Sequence, residues 1–133
     1  MTGLDTSVLV RYLVQDDAAQ SALATALIEQ ELSERAPGFV SVVALVECCW
    51  VLKRLYQASG AEIRSTVGDL LDIRQLVIEQ RSLVAAALAR LGPGSGAGDN
   101  ADALIYEIAA RSGCDRVVTF DRSVERLGMT VLR

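Results

Sequence analysis

Thr2-Gly-Leu-Asp5-Thr-Ser7-Val-Leu-Val-Arg-Tyr-Leu-Val14 opens the chain with a short apolar run, an acid, and at once an amphipathic stretch. Thr2–Leu4 reads as a strand and Ser7–Val14 as a helix. The same alternation recurs downstream. Phe39–Ser41 predicts a second strand, followed by a helix that holds Val42, Leu45, Val46, Trp50 and Leu55, with Ser41 as its N-cap. Gln75–Glu79 predicts a third strand before an alanine- and leucine-rich helix, Ser82–Leu91. Arg116–Phe120 is the clearest strand, and Ser123–Leu127 adds a turn of helix before a last strand, Met129–Leu132. Between these lie three more helices. One is capped by Asp16 or Asp17, keeps Ala22, Leu23, Ala26, Leu27 and Leu32 at near-helical spacing, and ends at Pro37-Gly38. The others are Glu62–Asp72, after a break at Ser59-Gly60, and Ala101–Arg111, with Asp99 as its cap and Gly113 as its stop. Short apolar strands separated by helices predict an α/β fold, a central, mainly parallel sheet flanked by helices on both faces. Right-handed crossovers then gather the strand C-termini on one edge, where such sheets bind ligands.

The chain of 133 residues is long enough for one domain with a real core, and no linker or repeat divides it. It is 51% hydrophobic and 23% charged, which places it among ordinary globular chains. No apolar run approaches the roughly 20 residues that span a bilayer, and the start lacks the pattern of a signal peptide. The expectation is a soluble cytoplasmic protein with no membrane partner. Cys48, Cys49 and Cys114 suggest no disulfide framework and are read as small core residues. The net charge of −4 weighs against nucleic acid. Twelve of the thirteen basic residues, however, are arginine, which suits bidentate phosphate contacts.

The chain contains no histidine. That excludes histidine acid–base catalysis, serine triads, cysteine–histidine pairs and imidazole-bound zinc. Four carboxylates instead stand beside apolar segments: Asp5, Glu47, Asp102 and Asp121. A carboxylate in such a place needs a partner, and a shared oxygen-rich site for Mg²⁺ or Mn²⁺ would supply it. Each acid also has a plainer role open to it. Asp5 suits a helix N-cap as well as a metal ligand. Glu47 lies in the apolar run Val42-Val-Ala-Leu-Val-Glu47-Cys-Cys-Trp50, where an unpaired charge would be costly, unless it faces solvent. Asp99 and Asp102 share one helical face, which favours dipole compensation or metal binding equally. Asp121 directly follows a strand, where turn formation and catalysis both use an acid. The segment Gly92-Pro-Gly-Ser-Gly-Ala-Gly98 fits a degenerate Gly-x-Gly-x-x-Ala. It follows a helix rather than a strand, so it reads as a flexible loop at the lip of a cleft.

Taken together, these segments resemble the PIN-domain ribonucleases, and among them the VapC-type toxins of toxin–antitoxin pairs. Leu4-Asp5-Thr-Ser-Val-Leu-Val-Arg-Tyr-Leu-Val-Gln-Asp-Asp17 is similar to the family's opening motif, and Val42-Val-Ala-Leu-Val-Glu47 to its second. Asp99-Asn-Ala-Asp102-Ala-Leu-Ile and Thr119-Phe-Asp121 are similar to its third and fourth. The resemblance implies one PIN-like three-layer domain over residues 1–133. It also implies the acidic quartet Asp5, Glu47, Asp102 and Asp121, with Asp99 as an additional acid found in part of the family. Thr6 or Thr119 would support the site through a hydroxyl. One or two Mg²⁺ or Mn²⁺ ions would be held by Asp5, Asp102 and Asp121, with Glu47 binding a second ion or orienting water. The implied reaction is hydrolysis of an RNA phosphodiester, in a transfer- or ribosomal-RNA loop, leaving a 5′-phosphate. The implied partners are a cognate antitoxin that places a basic residue among the acids and a second copy in a homodimer. Asn100 departs from the family, which often carries an aromatic residue there.

Two other readings use the same acids. A catalytically silent PIN-like scaffold would bind partners only. A phosphoacceptor receiver domain would need adjacent acids after strand one and a lysine after strand five. Asp16-Asp17 falls a helix too late, and the only lysine, Lys53, is mid-chain.

Overall fold

The computed structural model describes every residue except Pro93, Gly94 and Ala97. Part of the glycine-rich motif, Gly94 and Ala97, therefore falls outside the described residues. Strands β1 (Thr2–Gly3), β2 (Gly38–Val40) and β3 (Leu76–Ile78) form a three-stranded parallel sheet in that order. Around it lie α1 (Thr6–Val14), α2 (Ala18–Ala26), α3 (Val42–Tyr56), α4 (Gly60–Leu71), α5 (Arg81–Arg90) and α6 (Asp99–Arg111). The end of α2 widens into a π-helical turn over Leu27–Glu31. The expected α/β architecture with a parallel sheet between helices is present.

Local chemistry explains most boundaries. Asp17 rather than Asp16 caps α2, accepting from Gln20 N–H at 3.0 Å. Ser41 caps α3 through Ala44 N–H at 3.0 Å. Ser59 and Glu62 form a reciprocal capping box that starts α4 at the expected break, two residues before the predicted helix. Gly113 takes a φ of +94°, the left-handed turn that lets the chain leave α6. Leu9, Ile28, Val40, Leu45, Ile63, Leu70, Leu83 and Val84 are fully buried and join the helices to the sheet.

The C-terminal strands depart from expectation. The predicted strand Arg116–Phe120 contracts to β4 (Val118–Thr119) and pairs in parallel only with β5 (Thr130–Val131), as a separate two-stranded sheet. Val118 and Phe120, which gave that segment its strand character, are exposed rather than buried. Arg122–Leu127 forms a 3₁₀ helix between the two strands, and Val124, Leu127 and Met129 anchor this unit in the core. Cys48 and Cys49 are core residues whose thiols burial pushes up to about 11 and about 12. Cys114 is exposed, against expectation, because it lies beyond the end of α6. No helix among the described residues is long and apolar enough to cross a membrane.

Candidate active site

A cleft of about 610 Å³ opens between α3 and α6 and reaches the segment after β4. Val46, Trp50 and Lys53 line it from α3, and Asp99, Asp102 and Ile105 from α6. Asp121 and Ser123 complete it from the C-terminal unit. Three of the acids singled out in the sequence thus share one cavity, although they come from two regions of chain.

Their environments differ sharply. Asp102 is half-buried, and its carboxyl is raised above the usual carboxylate range by burial first, then by the charges of Asp99 and Asp121. Lys53 and Arg126 partly offset that rise. Asp121 is exposed, and its carboxyl is lowered by the Ser123 hydroxyl and then by the Ser123 N–H, at 2.7 and 2.9 Å. Thr119 accepts the Asp121 N–H at 3.0 Å, so its hydroxyl holds the turn that presents the acid. Asp99 is buried, accepts the Gly96 N–H at 2.6 Å and is ion-paired with Arg126. It is not the N-cap of α6, a position held by Gly98; Asp99 is the first residue of the helix and ties the loop and the 3₁₀ helix to α6.

Asp5 and Glu47 lie outside the walls of this cleft. Asp5 occupies the N-cap position of α1, yet its carboxylate makes no capping bond; it accepts from the Ser7 hydroxyl at 3.2 Å. The carboxylate is left open at the C-terminal end of β1. Glu47 is exposed, so the desolvation argument from its apolar neighbours does not apply. Val43, Glu47, Trp50 and Arg54 form a solvated face of α3, while Leu45, Cys48, Cys49 and Leu52 face the core. Glu47 lines a shallow groove with Trp50, Val51, Arg54 and Leu55. Buried Thr6 reaches across to the carbonyl of Ala44 at 3.5 Å and links the starts of α1 and α3. Asn100 points away from the cleft into a small apolar void beside Leu45, Cys49 and Leu104, with neither side-chain polar atom partnered.

The donor chemistry suits a hard divalent cation. Every candidate donor is a carboxylate oxygen, and a bound cation would offset both the burial and the neighbouring charges of Asp99 and Asp121 that raise the Asp102 carboxyl. Among the described residues, no cluster of three or more acidic or cysteine side chains stands close enough to hold an ion alone. Asp102 with Asp121 is the pair that the fold itself presents. Sequence reasoning missed Arg126 and did not single out Trp50 or Lys53. The i, i+3 spacing of the last two on α3 was the available signal.

The model of the PIN domain matches residues 4–128, and the chain belongs to the PIN-domain family. Members of that family are typically metal-dependent nucleases that act on RNA. No curated protein matches the chain.

Proposed function

We propose that this chain is a Mg²⁺- or Mn²⁺-dependent endoribonuclease and the toxin of a toxin–antitoxin pair, acting in the cytoplasm on a transfer- or ribosomal-RNA loop. The observation that carries the nuclease reading is the joint placement of Asp102 and Asp121 in the α3–α6 cleft, with the Asp102 carboxyl raised by burial first and then by the charges of Asp99 and Asp121. Asp102 and Asp121 would hold the ion with Asp5, and Glu47 would sit at the outer rim. When bound, the ion supplies a lower pKa for the attacking water and neutralises charge that develops on phosphorus. Asp121 arrives ionised and oriented by Ser123 and Thr119. Arg126 is ion-paired with Asp99, whereas Asp102 has no ion-pair partner among the described residues and is only partly offset by Lys53 and Arg126. Water adds to the phosphodiester phosphorus, the 3′ oxygen leaves with a proton, and the product carries a 5′-phosphate.

The toxin assignment rests on the ordered motifs around Asp5, Glu47, Asp102 and Asp121. An antitoxin's arginine or lysine would find the same negative cleft. A homodimer is supported by the groove between α1 and α2, where Leu23 is 72% exposed beside Val8 and Leu27.

The deciding experiment is cleavage of total RNA by the purified protein with Mg²⁺ or Mn²⁺, against EDTA and an Asp102→Asn control. Metal-dependent cleavage that falls about 100-fold or more in the variant is the expected result. No cleavage together with no metal uptake by calorimetry would leave the silent scaffold.

A further inference from the structure

Trp50 is the only tryptophan in the chain, and it is 46% exposed, on the solvated face of α3. Its ring borders two depressions at once. One is the cleft that holds Asp102 and Asp121; the other is the adjoining groove of about 430 Å³. Lys53, the only lysine, also lines the cleft and places its ammonium over one face of the ring, 5.0 Å from the centroid. Arg54 lines the adjoining groove, with Leu55 and Glu47. An exposed indole with one cation over a face and a second in the groove beside it thus stands at the rim of the acidic site, in a chain of net charge −4.

Those three side chains match one ligand chemistry. An indole face stacks on any unpaired base, at a gain of about 5- to 160-fold in affinity per base. Lysine and arginine beside it take the phosphates on either side. Bases inside a duplex present no free face, so the site selects single strands.

We propose that Trp50, Lys53 and Arg54 form a subsite for one unpaired nucleotide of the RNA, next to the bond that is cut. The base lies on the indole face that Lys53 does not cover, and the flanking phosphates meet Lys53 and Arg54. This rests on the nuclease reading of the cleft and adds to it the residues that admit only unpaired RNA. A protein partner seated on Trp50 and Leu55 is the weaker fit, because the ring opens into the acidic cleft and is flanked by charge.

The lone tryptophan makes the test direct. Emission of the wild-type protein in EDTA is followed while decauridylate is added, alone or annealed to decaadenylate. Saturable quenching by the single strand, with at least about tenfold weaker binding of the duplex, is expected. By anisotropy of a labelled strand, Trp50→Ala loses at least about fivefold in affinity and Trp50→Phe recovers most of it. Lys53→Gln with Arg54→Gln lowers the slope of log Kd against log salt by about 1.4, which a structural role would not do. Circular dichroism of each variant checks the fold. Equal quenching by duplex, no quenching at all, or emission that changes only with protein concentration (a second copy covering the ring) would overturn the proposal. Cleavage without quenching removes the subsite and keeps the nuclease. Quenching without cleavage does the reverse.

Discussion

The two sheets of this molecule do the same job by different means. In the first, β2 lies between β1 and β3, and Val40, Leu76 and Ile78 are buried under α-helices. In the second, β4 and β5 are two residues each, Phe120 is 83% exposed, and the unit is held from beside it. Its anchors are Val124, Leu127 and Met129 in the core and Arg126 on Asp99. Arg90 adds a bond to the Leu127 carbonyl at 3.1 Å. Each sheet delivers an acid just past a strand end, Asp5 from β1 and Asp121 from β4. Only Asp121 enters the cleft with Asp102. A strand end presents a side chain without deciding where it is used; packing against α6 decides that.

The comparison is broken most strongly by Asp5→Asn. If both strand ends serve one site, cleavage falls about 100-fold or more, as for Asp102→Asn, with the circular dichroism spectrum unchanged. An active, metal-dependent Asp5→Asn protein would confine the chemistry to the second sheet and α6. Next in size, Leu9→Ala beneath the first sheet should cost about 2–5 kcal/mol by urea denaturation, since Leu9 is fully buried. Smaller again is Glu107→Gln. Glu107 is buried on α6 and pairs with Arg90, which also stacks over Tyr106 at 4.0 Å. Losing that charge should cost about 1.5–3 kcal/mol in urea and loosen the second sheet first, seen as faster amide exchange at Thr130 and Leu132. Smallest is Phe120→Ser, within about 0.5 kcal/mol of wild type, because the ring leaves little water on folding. A loss of 2 kcal/mol or more (~) there would mean that the second sheet is covered in solution, and it would erase the contrast.

Much of this was written locally. Hydroxyl and carboxylate caps at Asp17, Ser41 and Ser59 act within three residues, so the starts of α2, α3 and α4 follow from sequence. Apolar runs bounded by helices likewise marked β1, β2 and β3 to within a residue or so at each end. Arg116–Phe120 misled for a physical reason. Its Val, Val and Phe have strand propensity, but propensity does not say what will cover them, and Val118 and Phe120 meet solvent. Glu47 misled in the opposite direction. Leu45, Cys48, Cys49 and Leu52 turn to the other side of α3, while Val43 and Trp50 are themselves exposed, so the glutamate is solvated.

By itself, the sequence determined the element types, most helix caps, the parallel α/β class and the set of acids from which a histidine-free site must be built. Those depend on interactions that reach three or four residues. The tertiary structure alone decided that β4 and β5 stand apart and that Asp99 is taken by Arg126. It also decided that Asp102 shares a cleft with Asp121, Trp50 and Lys53. Each of these depends on which faces meet across some 20 to 70 residues of chain, counted from the positions involved. Packing sets such meetings, and no local period encodes them.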